Sequence, residues 1–305
     1  MSVHILPLKT LPRRAKNRFD TTILFPIKAI VEYNYRFLNA HTKNRQQRMT
    51  ILFYPEKPKN IHVLYKLCKN LGWHVTNNLS AKYYVAIFFE DITLRPQYPE
   101  LEKIAEKCPI INFNCHNISK EHIDRVFKEV FGYEISINPL THTGTCVRKS
   151  NINAVHDGLV IDCPIENTEE GYVYQKLINS ETGDGRVMDI RIPIFGDSIP
   201  FVLKRYKDVN DIFDITTGAE FANTDELLSK DEQNKVIAYC KQLGLDYGEL
   251  DALRSNEDGK IYIVDANNTP AGPIGPIYKS KETYKRWLRE TSDAFSKYFL
   301  KFTSA

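Results

Sequence analysis

The chain has 305 residues, 42% hydrophobic and 26% charged, so it can bury a substantial core and is not a disordered polypeptide. No apolar run reaches the roughly 20 residues of a membrane helix, and no apolar leader precedes a small-residue cleavage site, so a cytoplasmic protein is expected. The net charge of +3 is uneven: residues 1–48 carry ten Lys or Arg against Asp20 and Glu32, which leaves −5 on the rest. Nucleic-acid binding driven by charge would have to rest on that arm alone and is not expected. The arm reads as a basic extension that packs on the body or on a second copy of the chain, a candidate homodimer contact. Within it, residues 23–37 hold enough Ile, Leu, Phe and Tyr for a helix that buries one face.

From Met49 the pattern becomes regular. Strands are expected at 49–54, 73–76, 83–89 and 109–114, alternating with helices at 61–71 and 99–107, which predicts a small parallel α/β layer. Neither G-x-G-x-x-G nor G-x-x-x-x-G-K occurs, which excludes the two commonest nucleotide loops. Ser119 is an N-cap for a helix ending at Gly132. Strands follow at 145–149, 158–162, 171–178, 187–195 and 199–206, then a helix at 230–243, a hairpin, and a last helix at 280–300. This is an α+β body. The six cysteines, Cys68, Cys108, Cys115, Cys146, Cys163 and Cys240, form no C-x-x-C pair and no ligand spacing, so they read as reduced thiols. The eight histidines show no metal spacing either.

The hairpin carries the chemistry. Glu257-Asp258-Gly259 fits a three-residue loop with Gly259 in the left-handed region. Asn256 would then pair with Lys260, and Asp251 would face Asp265, with Asn267 two residues further along the same face. Two facing carboxylates repel unless a cation lies between them, and two carboxylates with an amide oxygen are hard donors that suit Mg²⁺. A one-residue slip would instead leave either acid as a turn-flanking surface charge.

An Asp on one strand, a D-G turn, an apolar strand ending in acid-x-Asn and a Thr/Pro/Gly loop together resemble the metal-binding end of the ATP-grasp superfamily. The closest resemblance is to its D-alanine–D-alanine ligase branch, over about residues 117–276. Tyr172-Val-Tyr-Gln175-Lys176-Leu177-Ile178 resembles the hinge strand whose backbone holds adenine. Met188-Asp189-Ile-Arg191 resembles the strand whose acid binds ribose. Lys120 and Lys149 match the two nucleotide lysines, Lys149 standing before a loop that runs to His156-Asp157-Gly158. Arg205, in Leu203-Lys204-Arg205-Tyr206, lies where a basic residue contacts the phosphates. The resemblance breaks at Glu249, which stands where family ligases often carry an Arg that steadies the acyl-phosphate; Arg191 and Arg254 are the candidates to replace it.

The resemblance implies an α/β and α+β chain in three parts: a basic extension (1–48), an N-terminal α/β domain (49–116) and an ATP-grasp domain (117–305) with ATP between its two subdomains. It implies a ligase joining a small-molecule carboxylate to an amine through an acyl-phosphate. Its cofactors would be ATP and Mg²⁺, with Mn²⁺ as a substitute. Asp251, Asp265 and Asn267 would hold the metal. Lys120, Lys149, Gln175, Lys176, Leu177, Ile178, Asp189 and Arg205 would hold the nucleotide, and Arg191, Arg205 and Lys149 would act in catalysis. A kinase acting on a small-molecule hydroxyl and a non-catalytic nucleotide-binding module are the alternatives.

Overall fold

The computed structural model describes residues 49–302 except 214–215, 274–276 and 278; the basic arm and its expected helix lie outside the described residues. The first elements are β1 (Thr50–Pro55), α1 (Val63–Leu71), β2 (His74–Thr76), β3 (Val85–Phe89), α2 (Pro99–Ala105) and β4 (Ile110–Ile111). The strands form a parallel sheet in the order β2-β1-β3-β4. Parallel strands covered on both faces are apolar throughout rather than alternating, and Val85–Phe89 is buried at every position.

Next come α3 (Lys120–Phe131), β5 (Gly144–Ser150), β6 (Leu159–Cys163) and β7 (Tyr172–Lys176). The Ser119 side chain accepts the His122 N–H and caps α3 as the sequence implies. These three strands form an antiparallel sheet in the order β6-β5-β7. A second antiparallel sheet, β10-β9-β8-β11-β12, contains β8 (Arg186–Phe195), β9 (Val202–Asp208), β10 (Gly218–Ala222), β11 (Tyr247–Arg254) and β12 (Ile261–Asn267). Two helices, α4 (Thr224–Leu227) and α5 (Lys230–Leu243), precede β11, and α6 (Lys281–Leu300) ends the described chain. The edge strand β10 escapes sequence reading because Gly-Ala-Glu-Phe-Ala contains only one strong strand former.

Strand alternation decides where the charges go. On β8, Ile190, Ile192 and Ile194 are fully buried in a core shared with α3 and α5, so Asp189 and Arg191 must point to the opposite face. The same alternation on β11 buries Leu250 and Ala252 and turns Glu249 and Asp251 to that opposite face. A second core joins β1, β3 and α1 to α6 through Phe53, Leu67, Trp287, Phe295 and Phe299, so it runs across the boundary expected at 117. Among the described residues no helix is long and apolar enough to cross a membrane.

Candidate active site

The turn joining β11 and β12 differs from the expected one. Ser255 N–H donates to the Lys260 carbonyl at 2.9 Å and Gly259 N–H to the Ser255 carbonyl at 3.0 Å, so Ser255, not Asn256, pairs with Lys260. The loop therefore has one residue more than sequence reading gave it, with Gly259 at φ 68°. The register is restored further along: Ala252 pairs with Ile263 but Asp251 pairs with Asp265, which makes Val264 the extra residue of a β-bulge. The bulge has a chemical consequence, since an extra residue inverts strand alternation. Ile261 and Ile263 face the core before it, and Ala266 faces the core after it, so Asp265 and Asn267 are turned to the charged face.

Charge on that face is already balanced. Arg191 Nε and Nη2 donate to the two oxygens of Asp251 at 3.0 and 3.2 Å, and its Nη1 donates to Glu249 at 2.9 Å. Arg205 lies 2.8 Å from Asp251 Oδ2 and donates from Nε to Asp189 at 2.5 Å. Lys207 lies 3.5 Å from the other oxygen of Asp189. Burial alone would raise the Asp251 pKa, but the two guanidinium groups hold it well below the usual carboxylate range. Burial pushes the Glu249 carboxyl up, against the pull of Arg191. Arg191 is thus the candidate that lies against Glu249 and Asp251. Arg254 does not: it is bonded to Glu232 and to the Leu227 carbonyl, at the far end of β11.

Lys120 is buried at the start of α3; its ammonium is bonded to Asp265 Oδ1 and donates to Asn153 Oδ1 at 3.1 Å. The loop after β5 is drawn over it, with the Asn151 carbonyl accepting the Lys120 N–H and Asn153 N–H donating to Thr93 Oγ1 at 2.9 Å. The Lys149 side chain, near the end of β5, makes no hydrogen bond or ion pair among the described residues. Burial and the neighbouring Lys120 charge push its ammonium down to about 8, although Asp265 and Asp124 oppose this. His156 lies in the same loop at φ 57°.

Of the residues expected at the hinge, Gln175 and Lys176 close β7, and Leu177 and Ile178 follow it. Gln175 is buried and donates from Nε2 to both oxygens of Asp124 at 2.8 and 2.9 Å, while its Oε1 has no partner. Lys176 lies 5.8 Å from the centre of the Tyr262 ring on β12, and Ile178 packs against the main core. The backbone groups of Leu177 and Ile178 belong to no ladder and bond to no backbone group among the described residues. They are free to hold the edge of a planar ligand.

The structure thus brings Lys120, Lys149 and Asp265 together, and joins Asp251, Arg191, Arg205 and Asp189 in one network. Sequence reading missed Asp124, Asn153, Lys207 and Lys66. Lys66 lies among the core positions Val63, Leu64 and Leu67 of α1, an odd place for a lysine and the signal that could have found it. Its ammonium, brought down to about 8 by burial, donates to the carbonyls of Ile61 and Gly272. With Val63 N–H on the Pro270 carbonyl and Gly272 N–H on that of Ile61, it fastens the loop after β12 to the N-terminal layer.

The donor set keeps lone pairs that a magnesium ion could use, and the repulsion expected from facing acids is relieved by Lys120, Arg191 and Arg205. A carboxylate offers about four lone-pair positions. Asp251 has one left, Asp265 Oδ2 has no partner, and the Asn267 oxygen accepts only from Thr269. Among the described residues no three His, Cys, Asp or Glu side chains gather as ligands, and this set has two carboxylates and one amide.

No protein-family model and no curated protein matches the sequence. Solved structures do match. D-Alanine–D-alanine ligase from Bacillus anthracis is 12% identical, with a TM-score of 0.50 over 84% of this chain and 98% of its own. The ATP-grasp ligase PsnB, solved with a minimal precursor, Mg and ADP, is also 12% identical, with a TM-score of 0.50 over 80% of this chain and 98% of its own. Likeness at that identity speaks for architecture, and it agrees with two antiparallel sheets behind a parallel layer: the chain has the fold of the ATP-grasp superfamily.

Proposed function

We propose that the chain is an ATP- and Mg²⁺-dependent ligase that joins a carboxylate to an amine. The observation that carries this reading is Lys149, a half-buried ammonium with no partner, beside Lys120 and opposite an Asp265 with one open oxygen. A cation held without an anion next to a second cation is costly, and a polyphosphate would relieve that cost. ATP would lie between the two antiparallel sheets, its base on the free backbone of Leu177 and Ile178 and its phosphates on Lys120, Lys149 and Arg205. Asp189, which holds one cation on each oxygen, would accept from the ribose hydroxyls with its remaining lone pairs. Mg²⁺, on Asp251, Asp265 and Asn267, would neutralise charge on the phosphates.

Arg191 would steady the acyl-phosphate in the role that Glu249 cannot fill, and the 151–157 loop would exclude water from it. The parts at 1–48, 49–116 and 117–305, the homodimer through the first of them, and a cytoplasmic location belong to the same reading. Calorimetry of ATP with and without Mg²⁺ tests it, followed by product analysis over pairs of acids and amines. Equal affinities would remove the metal assignment. A stable phosphorylated product without a coupled amine would replace the ligase by a kinase.

A further inference from the structure

Cys146 on β5 and Cys163 at the end of β6 have their sulfurs 3.0 Å apart, closer than two sulfurs in ordinary contact and about 1 Å from a disulfide bond. The strands are hydrogen-bonded neighbours, with Cys146 opposite Ile161 and Gly144 opposite Cys163, so the two thiols meet on a diagonal of the ladder. The other cysteines, Cys68, Cys108, Cys115 and Cys240, are all buried, and Cys163 alone among the six is not. An oxidant arriving from solvent therefore meets Cys163 first, with a second thiol already in contact behind it. The β5–β6 hairpin that these residues close carries Lys149 and the 151–157 loop. Gly158, at the start of its return arm, is packed so tightly against Phe213 that a Cβ there would come within 2.6 Å of the ring. The hairpin is thus pinned at its loop end and joined by two thiols at its open end.

We propose that Cys146 and Cys163 are a dithiol modification site that reacts with small-molecule disulfides to form a reversible bridge across the β5–β6 hairpin. The Cys163 thiolate attacks one sulfur of a disulfide such as oxidised glutathione, breaking its S–S bond and releasing one thiolate. Cys146, after losing its proton, attacks the Cys163 sulfur of the mixed disulfide and releases the second thiol. The protein loses two protons and two electrons, and the oxidant is reduced to two thiols. The bridge limits how far β6 can part from β5, which stiffens the hairpin and lowers the freedom of the unfolded chain.

The full-length protein is incubated with oxidised glutathione, quenched in acid, alkylated and read by intact mass and peptide mapping. The expected product lacks two hydrogens, carries no glutathione and yields a Cys146–Cys163 cross-linked peptide. It melts several degrees higher than the reduced protein, and a reducing dithiol reverses both changes. Cys146→Ser retains a glutathione adduct on Cys163, and Cys163→Ser neither bridges nor gains an adduct. A stable glutathione adduct on the wild-type chain, a bridge through any other cysteine, or no reaction at all would overturn the proposal. Mapping of the wild-type protein decides the point even if a variant fails to fold.

Discussion

On the five-stranded sheet, Asp189, Asp251 and Glu249 are matched to Arg191, Arg205 and Lys207 at hydrogen-bond or ion-pair distance. On the three-stranded sheet Lys149 stands without a partner, its pKa lowered to about 8. One region has its charges settled before any ligand arrives, and the other holds a charge that only a ligand can settle. The settled region is therefore expected to matter first for stability, and the unsettled one first for binding. Variants in the two regions should separate these effects.

The largest effect is expected at Arg205, which is 5% exposed and joins two acids. Arg205→Met leaves Asp189 and Asp251 short of a cation in a buried place, and breaking such a pair costs about 3–5 kcal/mol. Lys207→Met removes a more exposed partner at 3.5 Å and should cost less than about 1 kcal/mol. Urea unfolding of both variants checks the contrast. Equal losses would mean that the network is not ordered around Arg205.

The hairpin acids give the next contrast. Asp265→Asn should lower kcat by about 10²–10³-fold, because charge at the phosphates is greatest in the transition state. Asp189→Asn should mainly raise KM for ATP, together with a loss of stability, since its carboxylate also anchors Arg205. Steady-state kinetics and a melting curve for each variant separate the two. A reversed pattern would exchange the roles of β8 and β12.

That Asp251 faces Asp265 was legible in the sequence, but through two errors that cancel. The loop has one more residue than its D-G turn suggested, and Val264 takes up the difference. The warning was present: Ile261 and Ile263 are apolar at odd positions, while Asp265 and Asn267 are polar at odd positions on the same strand. An unbroken strand cannot put such residues on different faces, so a bulge between them was required. The parallel layer, the α3 cap and the alternating strands could be read because each rests on local pattern. The ion-pair network could not, since Arg191, Arg205 and Asp251 meet only through cross-strand register. Lys149 was identified by its place before a loop, but that it lacks a partner is a property of packing alone.

Lys149→Met should therefore do two opposite things. It removes an unpaired half-buried charge, raising the stability of the ligand-free protein by roughly 1–3 kcal/mol at neutral pH, and it should weaken ATP binding by about tenfold or more. The stability gain depends on pH. Below about 8 both the folded and unfolded chains hold this proton, so the cost of burying the charge is complete. Between about 8 and 10.5 the folded chain releases it first, the unfolded state binds more protons, and wild-type stability rises towards that of the variant. Thermal unfolding of both proteins across this range should show the curves converging. A gap that widens instead would mean that Lys149 is stabilised by its surroundings.

The smallest signal is the proton itself. A phosphate beside Lys149 favours the charged form and raises its pKa, so ATP binding near pH 8.5 should draw up to about one proton from solvent. Calorimetry in buffers of different ionisation enthalpy measures this directly, as a slope of the observed heat against the buffer's own heat. Near pH 7 the free protein already carries the proton, and the slope due to this residue should be close to zero. Lys149→Met should abolish the slope near pH 8.5, while Lys207→Met, a change on the settled sheet, should leave it in place. Uptake that persists in Lys149→Met would assign the proton to another group, with Lys66, whose ammonium is also brought down to about 8, as the first to test. Lys66 fastens the loop after β12 through carbonyl groups, so its proton should be linked to the ordering of that loop and not to phosphate. Replacing ATP by inorganic triphosphate distinguishes the two, because uptake at Lys149 needs only the phosphate chain.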